Sequence, residues 1–312
     1  MKVDRWLLEA RQSLPLEIKV RMTQQRIRQW YEHWGGDVYV AFSGGKDSTV
    51  LLHITREIYP DVPAVFVNTG LQYPEVRSFA LSHENVVELR PAMNFKTVIE
   101  RYGWPVVSKR VARYVSDLQN ASERNRATCN LRLTGMNRKG EYCASMKLSD
   151  KWLFLVDAPF KISSYCCEVM KKAPLNKYVR RTGRQPLIGV MVSNSSDRLR
   201  AYLKVGCNAF HGKSARSWPM ACWTEQDVLQ YVLDRNLPIA SVYGEIVECD
   251  GQLMCTGEHN TGCVFCAFGV QYDGEPNRFQ RLKVTHPKLW LYCMDRLGMR
   301  EVLEFMGVPT GG

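Results

Sequence analysis

The chain contains 312 residues, 45% hydrophobic and 23% charged, with a formal net charge of +11, so it is long enough to bury one large core or two modest ones. No apolar run approaches the roughly 18 residues of a membrane span, and the first residues, Met1–Trp6, do not form a signal peptide. This composition excludes a transmembrane protein and predicts a cytoplasmic one that makes no membrane contact.

An N-terminal helical segment is predicted for residues 1–36. Ile27, Trp30 and Trp34 fall at helical spacing, and two consecutive glycines follow them as a stop signal. We expect these aromatic side chains to pack in a core rather than to take part in function.

A strand, a glycine turn and a helix are predicted next, within residues 38–58. Val38–Phe42 has strand character and runs straight into Gly44 and Gly45. The apolar residues that follow recur on one helical face, at Val50, Leu51, Ile54 and Ile58. Glycine lets the backbone turn tightly and approach an anion, and the first amides of the new helix point at that anion. We therefore predict a phosphate-binding loop between this strand and this helix.

The polar residues of this loop fit either a phosphate site or a plain turn. Ser43, Ser48 and Thr49 offer hydroxyl donors, and Lys46 offers a positive charge. The alternative is an ordinary glycine turn capped by Asp47 or Ser48. A Walker loop is excluded, because its order of Gly, four residues and then Gly-Lys-Ser or Gly-Lys-Thr is absent. The predicted nucleotide-binding residues of the loop are Ser43, Gly44, Gly45, Lys46, Asp47 and Ser48.

The following elements predict an α/β fold with a doubly wound parallel sheet. Val62–Val67 has the pattern of a second buried strand, Val86–Leu89 that of a third, and a helix is expected over 94–102. Ligands in such sheets bind at the carboxyl ends of the strands. Asn68 and Thr69 directly follow the second strand, so they are predicted adenosine or ribose contacts, although polar residues also form plain turns at such positions.

The chain from residue 103 to residue 150 has weaker signals. Residues 103–110 are predicted to form a loop, and helical periodicity fades over 113–150, which leaves a helical insertion and a mobile loop both open. The candidates for phosphate contacts in this part are Arg124, Arg126, Arg132, Arg138 and Lys139.

Positive charge is concentrated in two tracts. Residues 161–216 contain twelve Lys and Arg against two acidic residues, residues 101–139 contain nine against two, and the remainder is net acidic. A basic tract is often only a solvated face, but two tracts that carry more than the whole excess indicate a polyanionic partner. We therefore expect a nucleic acid, with a nucleotide-sized anion as the alternative.

Four of the eleven cysteines stand in a paired pattern. So many cysteines in a chain expected in the cytoplasm point to a metal or a redox role rather than to a disulfide framework. Cys166 and Cys167 are adjacent, and Cys263 and Cys266 form a Cys-x-x-Cys turn about a hundred residues later. This four-sulfur set suits zinc or an iron–sulfur cluster, and the spacing alone does not choose between them.

Two motifs carry a resemblance to known families. Ser43–Ser48 resembles the pyrophosphate loop of the adenine nucleotide alpha hydrolase superfamily, whose members cleave ATP between the alpha and beta phosphates, or bind an adenosine phosphosulfate. The adjacent cysteines, Met170–Leu175 and the distant Cys-x-x-Cys are together similar to the phosphoadenosine phosphosulfate (PAPS) reductase-like family. This second resemblance runs from about Trp30 to Gly307.

The resemblance implies a set of cofactors. The cysteine pattern is similar to that of a cluster-bearing branch, related to DNA phosphorothioation enzymes, in which it holds a [4Fe–4S] cluster. The implied ligands are the four paired cysteines, with Cys255 or His259 as alternative ligands and with zinc or a reduced structural set as alternative states. ATP and Mg²⁺ are the implied nucleotide and ion.

The resemblance also implies roles for the loop residues. The amides and serines of the loop would hold the departing pyrophosphate, and Lys46 would neutralise its charge. Asp47 would position Mg²⁺ or cap the helix. Lys46, Asp47 and Ser48 are therefore the predicted catalytic residues, and pyrophosphate rather than ADP is the expected product.

Two features depart from the family pattern. Members that reduce sulfonucleotides attack the sulfur with a cysteine in a C-terminal Glu-Cys-Gly motif, and Met306–Gly312 contains no cysteine. Asn194-Ser195 stands where the family usually has Glu-Ser. Arg198, a few residues later, still offers a fork of donors for a phosphate group and is a predicted nucleotide contact.

We predict three parts, namely residues 1–36 as the helical segment, residues 37–240 as the nucleotide-binding α/β domain and residues 241–312 as an iron–sulfur-associated region. The predicted function is an ATP pyrophosphatase that adenylates a nucleic acid for sulfur insertion, as in DNA phosphorothioation or tRNA thiolation, with a sulfur donor such as a cysteine desulfurase. The alternatives are a sulfonucleotide reductase with an external nucleophile and a nucleotide-sensing module without chemistry. The sequence does not indicate an oligomeric state.

Overall fold

The computed structural model describes residues 3–211 and 215–311, and within them it leaves out the side chain of Asn194. The helices in chain order are α1 (Arg5–Gln12), α2 (Leu16–His33), α3 (Lys46–Ile58), α4 (Pro74–Leu81), α5 (Phe95–Tyr102), α6 (Lys109–Gln119), α7 (Arg126–Thr134), α8 (Ala173–Thr182), α9 (Ser196–Val205), α10 (Glu225–Asp234), α11 (Arg278–Thr285), α12 (Pro287–Leu291) and α13 (Met299–Phe305). The strands are β1 (Val38–Ala41), β2 (Ala64–Val67), β3 (Val86–Leu89), β4 (Val106–Val107), β5 (Gln185–Ile188), β6 (Asn208–Ala209), β7 (Arg216–Ser217), β8 (Ile246–Cys249), β9 (Gln252–Cys255) and β10 (Ala267–Phe268).

The chain divides into two units, each built from separated segments. The first unit consists of Met1–Asn68, Gln72–Arg90 and Pro174–Thr261. The second unit consists of Thr69–Leu71, Pro91–Ala173 and Gly262–Gly312.

The first unit contains a six-stranded sheet in the order β3-β2-β1-β5-β7-β6. β1 pairs in parallel with β2 on one side and with β5 on the other, whereas β6 runs antiparallel to β7. The chain therefore moves outward from β1 to β3 and later returns to the opposite side of β1, so the strand order reverses between β1 and β5. The predicted α/β fold with a doubly wound parallel sheet is confirmed.

The central strand is apolar because both faces of the sheet are covered. Val38 and Val40 are inaccessible to solvent, and they share a core with Ile27 and Trp30 of α2 and with Leu51 of α3. The predicted first helix ends at His33, just before the two glycines, as its sequence indicated.

The prediction of a loop over residues 103–110 is wrong in its second half. Val106 and Val107 form β4, which pairs in parallel with β10. α6 begins at Lys109, and the Ser108 hydroxyl caps it by accepting the Val111 N–H at 3.1 Å. The local sequence did not reveal this strand, because its partner lies about 160 residues away.

Residues 113–150 are largely helical, which favours the insertion over the loop. α6 and α7 occupy much of this part, and short turns of 3₁₀-helix follow them. Within residues 3–211 and 215–311, no helix is both long enough and apolar enough to cross a membrane.

Candidate functional site

The candidate nucleotide site lies where the strand order of the sheet reverses. The glycine loop joins β1 to α3 at the carboxyl end of β1, next to the carboxyl end of β5. Open α/β sheets bind ligands in the crevice at this position, because the loops on either side of it diverge. The prediction of a strand, a glycine turn and a helix is confirmed.

Position 44 requires glycine because close packing leaves no room for a side chain. This residue has φ +75°, and a Cβ there would lie 2.8 Å from the carbonyl oxygen of Val76. A side chain would therefore be strained and would also collide with backbone. At Gly45, a Cβ would lie 3.1 Å from the hydroxyl oxygens of Tyr243 and Thr261, so the backbone faces those two side chains directly.

A second glycine, from the end of β5, packs against the other side of the loop. A Cβ on Gly189 would lie 3.0 Å from the carbonyl oxygen of Asp47 and 3.3 Å from the Cα of Ser48. Sequence reasoning did not single out Gly189. A glycine directly after a strand of a parallel sheet was the signal that could have identified it.

The two serines of the loop bond to the loop itself. The Ser43 N–H donates to Ser48 Oγ at 3.2 Å, and the two hydroxyl oxygens lie 3.1 Å apart. Ser48 Oγ donates to the carbonyl oxygen of Gly45 at 2.9 Å. These bonds hold the first turn of α3 and the end of β1 in a fixed geometry. Gly45 is the N-cap of α3 and, as a glycine, has no side chain of its own that could cap the helix.

Lys46 is buried and surrounded by acceptors. Its ammonium group donates to the carbonyl oxygen of His259 at 2.9 Å and pairs with the Glu225 carboxylate at 3.1 Å. Burial acts to lower the pKa of Lys46, but Asp47, Tyr243 and Glu225 outweigh it, so the pKa of Lys46 is raised. Lys46 therefore stays positively charged at neutral pH and suits electrostatic stabilisation rather than proton transfer.

Asp47 has a carboxylate oxygen without a hydrogen-bond partner among the described residues. Its Oδ1 atom is buried and accepts no hydrogen bond from any described residue. The Lys46 ammonium group is 3.9 Å from this oxygen. Burial raises the pKa of Asp47, and the positive charges of Lys46 and Arg198 oppose that rise. A buried, unsatisfied carboxylate oxygen is costly, so this atom suits a cation or a ligand donor that completes its coordination.

The Tyr243 and Thr261 side chains lie against the loop, although they are distant from it in sequence. The Tyr243 hydroxyl accepts the Lys46 backbone N–H at 3.1 Å and lies 2.7 Å from the Thr261 hydroxyl. Burial raises the pKa of Tyr243, so its hydroxyl keeps its proton at neutral pH. Sequence reasoning missed Tyr243, Thr261 and Glu225, because nothing in their own sequence context marks them as neighbours of the loop.

Asn68 and Thr69 directly follow β2, as predicted, and both have local partners. Asn68 Nδ2 donates to Glu88 Oε1 at 2.6 Å, and this bond lowers the pKa of Glu88. Thr69 is buried, and its hydroxyl oxygen accepts the Leu71 N–H at 3.2 Å. Their assignment as adenosine or ribose contacts stays a prediction.

All four paired cysteines belong to the second unit. Burial raises the pKa of Cys166, and the charges of Cys263, Cys167 and Cys266 raise it further. Burial is also the main reason that the pKa of Cys266 is raised to about 11. Cys263 raises the pKa of Lys171 by its charge and by a hydrogen bond, while burial opposes this effect.

The donor chemistry of this cysteine group fits an iron–sulfur cluster or zinc, because thiolates that repel one another are stabilised by a bound metal. However, among the described residues no group of three or more His, Cys, Asp or Glu side chains is arranged as a metal-binding set. The cysteines of the group are free thiols rather than disulfides. The cluster therefore stays a prediction.

The sequence signature of the phosphoadenosine phosphosulfate reductase domain matches residues 37–258. An uncharacterised protein of Methanocaldococcus jannaschii is 24% identical over 271 residues, which cover 85% of this chain and 42% of that protein. The chain thus spans less than half the length of this relative.

Two enzymes are also similar to the chain. The adenosine 5'-phosphosulfate reductase of Geobacillus kaustophilus is 22% identical over 254 residues, which cover 81% of this chain and 87% of that enzyme. The phosphoadenosine 5'-phosphosulfate reductase of Salmonella arizonae is 33% identical over 78 residues, which cover 25% of this chain and 31% of that enzyme. Among solved structures, the PAPS reductase of Candida auris in complex with phosphate has a TM-score of 0.40 and 12% identity, covering 84% of this chain and 99% of that one.

Proposed function

Because this chain belongs to the phosphoadenosine phosphosulfate reductase domain family, an enzyme family that acts on nucleotides, we propose that it uses ATP to adenylate an acceptor for sulfur insertion. In this reaction an oxygen of the acceptor attacks the alpha phosphorus of ATP. The bond from that phosphorus to the bridging oxygen breaks, pyrophosphate leaves, and the acceptor carries AMP. The persulfide of a sulfur donor such as a cysteine desulfurase would then displace AMP, and an external thiol would reduce the resulting S–S bond, so that the sulfur stays on the acceptor.

The observation that carries this proposal is the pairing of opposite charges in one loop. Lys46 is a buried cation in the first turn of α3, whereas Asp47 Oδ1 is a buried oxygen that accepts no hydrogen bond from the described residues. MgATP presents both complements, namely phosphate oxygens for the amides and the ammonium group, and a magnesium ion for the carboxylate. A sulfonucleotide lacks the pyrophosphate leaving group that would use this combination.

Within this proposal, each loop residue has a defined role. The amides at the start of α3 other than that of Lys46, which donates to Tyr243, hold the beta and gamma phosphates, and the bonds between Ser43 and Ser48 keep the loop in place. Lys46, held charged by Glu225, neutralises the negative charge that builds up on the departing pyrophosphate. Asp47 would hold Mg²⁺, which would polarise the phosphate oxygens. Arg198, close enough to act on the charge of Asp47, would contact the alpha phosphate.

The cysteine group forms a second part of the proposal. Cys166, Cys167, Cys263 and Cys266 would hold a [4Fe–4S] cluster, which would link two distant chain segments. The Lys171 ammonium group, on which Cys263 already acts, would complement its negative charge. The proposed catalytic steps on ATP do not pass through this group.

A nucleic acid is the proposed acceptor. The second unit contains twenty-one Lys and Arg residues against twelve Asp and Glu residues, so it holds most of the positive excess of the chain. Nucleic-acid backbones bind such surfaces through phosphate contacts and counterion release. DNA phosphorothioation and tRNA thiolation both fit this acceptor class.

The second candidate is a sulfonucleotide reductase, which would release sulfite from an adenosine phosphosulfate with an external thiol as the nucleophile. It is favoured by the similarity to two reductases from Geobacillus kaustophilus and Salmonella arizonae. A nucleotide-sensing module would bind nucleotides and turn over neither substrate.

One experiment separates the three functions. Anaerobically purified protein is incubated with ATP and Mg²⁺, with and without DNA or tRNA, and pyrophosphate, AMP and ADP are quantified. Parallel reactions contain an adenosine phosphosulfate and a dithiol, and sulfite is quantified. Pyrophosphate that depends on nucleic acid supports the proposal, sulfite without pyrophosphate supports the reductase, and binding without any product supports the sensing module.

A further inference from the structure

The turn that follows α7 has a backbone fixed by hydrogen bonds and carries two cations. Asn137 Oδ1 accepts the N–H groups of Lys139 and Glu141 at 2.9 and 3.0 Å, and Asn137 Nδ2 donates to the Glu141 carboxylate at 2.8 Å. Gly140 completes the turn with φ +79°. Arg138 and Lys139 are exposed at its tip, and the described residues offer neither side chain an ion-pair partner. The Glu141 carboxylate of the same turn accepts a hydrogen bond from the Asn137 amide.

A groove lies beside this turn, and an exposed tyrosine, Tyr142, follows the turn in the chain. The groove has a volume of about 470 Å³ and is lined by Ala127, Thr128 and Leu131 of α7 and by Asn137, Arg138, Lys139 and Glu141 of the turn. The ring of Tyr142 lies against Gly135, where a Cβ would be 2.6 Å from the ring. Despite this contact, 62% of Tyr142 is exposed. A tyrosine ring that is supported on one side and exposed on the other is suited to stacking.

Two further exposed cations, Arg124 and Arg126, lie at or just before the start of α7, whereas a third, Arg132, is buried. Arg124 and Arg126 are exposed, and Arg126 has only a 3.8 Å pair with Glu123 in which both side chains are largely solvated. Such a pair contributes little and leaves the guanidinium available. Arg132, in contrast, is buried against Asp117 at 3.0 Å and supports the fold.

We propose that the α7 turn surface, defined as Arg124, Arg126, Arg138, Lys139 and Tyr142, binds a single-stranded stretch of nucleic acid. This inference rests on the proposed nucleic-acid acceptor and adds the place where it docks. The four cations match the backbone phosphates, and the tyrosine ring matches the face of one base. Single strands are favoured because a base within a duplex is already stacked and offers no face to the ring. A rigid turn also reduces the ordering that binding requires.

The test measures the affinity of the full chain for a fluorescent dT20 or U20 oligonucleotide, and for a duplex of equal length, by anisotropy over a series of salt concentrations. Arg138→Ala with Lys139→Ala should weaken single-strand binding about tenfold and reduce the slope of log affinity against log salt by about 1.4. Tyr142→Ala should weaken it roughly tenfold and leave that slope unchanged, and Tyr142→Phe should bind as the wild type does.

Matched controls come from the same unit. Tyr272, 75% exposed, serves as the tyrosine control in Tyr272→Ala, and the exposed pair Lys288 and Arg296 serves as the charge control when both are changed to Ala. Equal losses in these controls would overturn the α7 turn surface, as would wild-type affinity in all its variants or tighter binding of the duplex. In those cases the proposal that the acceptor is a nucleic acid would still stand. A wild-type protein that binds neither oligonucleotide nor duplex at low salt would overturn the acceptor as well, whereas pyrophosphate release would still test the ATP chemistry separately.

Discussion

Two neighbouring glycines of the phosphate loop are required for different physical reasons. Gly44 has φ +75°, and a Cβ on it would lie 2.8 Å from the carbonyl oxygen of Val76, so both its conformation and its surroundings exclude a side chain. Gly45 has φ −83°, which any residue adopts, and its Cβ position faces hydroxyl groups, among them those of Tyr243 and Thr261. Substitution at Gly44 should therefore lower the free energy of unfolding, whereas substitution at Gly45 should weaken ligand binding.

The first prediction concerns these glycines. Gly44→Ala should lower the free energy of unfolding by more than the roughly 1–2 kcal/mol of left-handed strain alone, because the clash with Val76 is added. Gly183→Ala is the control, since Gly183 has φ +76° and no heavy atom near its Cβ position. Urea denaturation measures both losses.

Gly45→Val should fold and lose ATP binding in calorimetry. Unchanged ATP affinity in that variant would remove the phosphate-loop assignment.

The second prediction concerns Tyr243, whose hydroxyl occupies the backbone N–H of Lys46. Tyr243→Phe should lower the free energy of unfolding by about 1–3 kcal/mol, because a buried amide and the Thr261 hydroxyl lose a partner. The freed amide should bind pyrophosphate at least as tightly as in the wild type. Calorimetric titration with pyrophosphate checks this, and clearly weaker binding would mean that the hydroxyl itself contacts the phosphate.

The third prediction separates a structural role of Asn68 from a nucleotide contact. The Asn68 bond lowers the pKa of Glu88, so its stabilisation is present above the pKa that Glu88 has in the unfolded chain and disappears as the pH falls through the folded pKa. Asn68→Ala should therefore cost about 1 kcal/mol at pH 7 and little at pH 3. In a Glu88→Gln background the cost should not depend on pH. If Asn68→Ala binds ATP with the affinity of the wild type, Asn68 is excluded as a nucleotide contact.

At the scale of elements, the cysteine group depends on a helix and a turn that are far apart in sequence. Glu168–Lys172 forms a π-helical turn directly after Cys166 and Cys167, and such irregular turns are frequent at functional sites. The Cys266 N–H donates to the carbonyl oxygen of Cys263 at 3.1 Å and closes the second turn. Each of the two elements supplies two sulfur atoms, so neither could form a four-sulfur metal site alone.

The fourth prediction tests this group. Anaerobically prepared protein should be brown, absorb broadly near 400 nm and contain about four irons per chain. Changing any member of the group to Ser should bleach the protein. The cysteines outside the paired pattern serve as controls that should keep the colour, namely Cys129, Cys143 and Cys293. Colourless protein with one zinc per chain would retain the four-thiolate site and exclude the cluster.

At the scale of the whole molecule, each unit gathers segments from both halves of the chain. The phosphate loop and Tyr243 belong to the first unit, whereas the cysteine group and the α7 turn surface belong to the second. The basic tract at residues 161–216 is divided between the two units, and Lys213 lies outside the described residues. Lys161, Lys171 and Lys172 of the tract belong to the second unit and its other described Lys and Arg residues to the first, so variants of the tract are best designed within each unit separately.

The fifth prediction concerns the stability of the molecule as a whole. MgATP at about one hundred times its Kd should raise the free energy of unfolding by roughly 2.7 kcal/mol, because only the folded protein binds it. Lys46→Ala should remove most of this gain. Lys204→Ala, at an exposed position of α9, should not. Thermal unfolding followed with and without nucleotide measures the difference. An equal gain in Lys46→Ala would place the nucleotide outside the loop.

The sequence by itself determined the parts of this protein whose signals are local. The strand, glycine turn and helix over Val38–Ile58 are each specified by adjacent residues, because apolar periodicity and glycine act over a few positions. The doubly wound sheet followed from alternating strands and helices for the same reason. The paired cysteines and the loop motif also identified the family, since both are short patterns.

Only the tertiary structure decided which distant groups surround the loop. Glu225, Tyr243, His259 and Thr261 contact Lys46 or Gly45 from about 180 to 215 positions away in the chain. Their contacts depend on how the segment after β7 folds back over the loop, and this placement is set by packing throughout the first unit. Hydrogen bonds of this kind form only after distant segments meet, so no local pattern of residues records them.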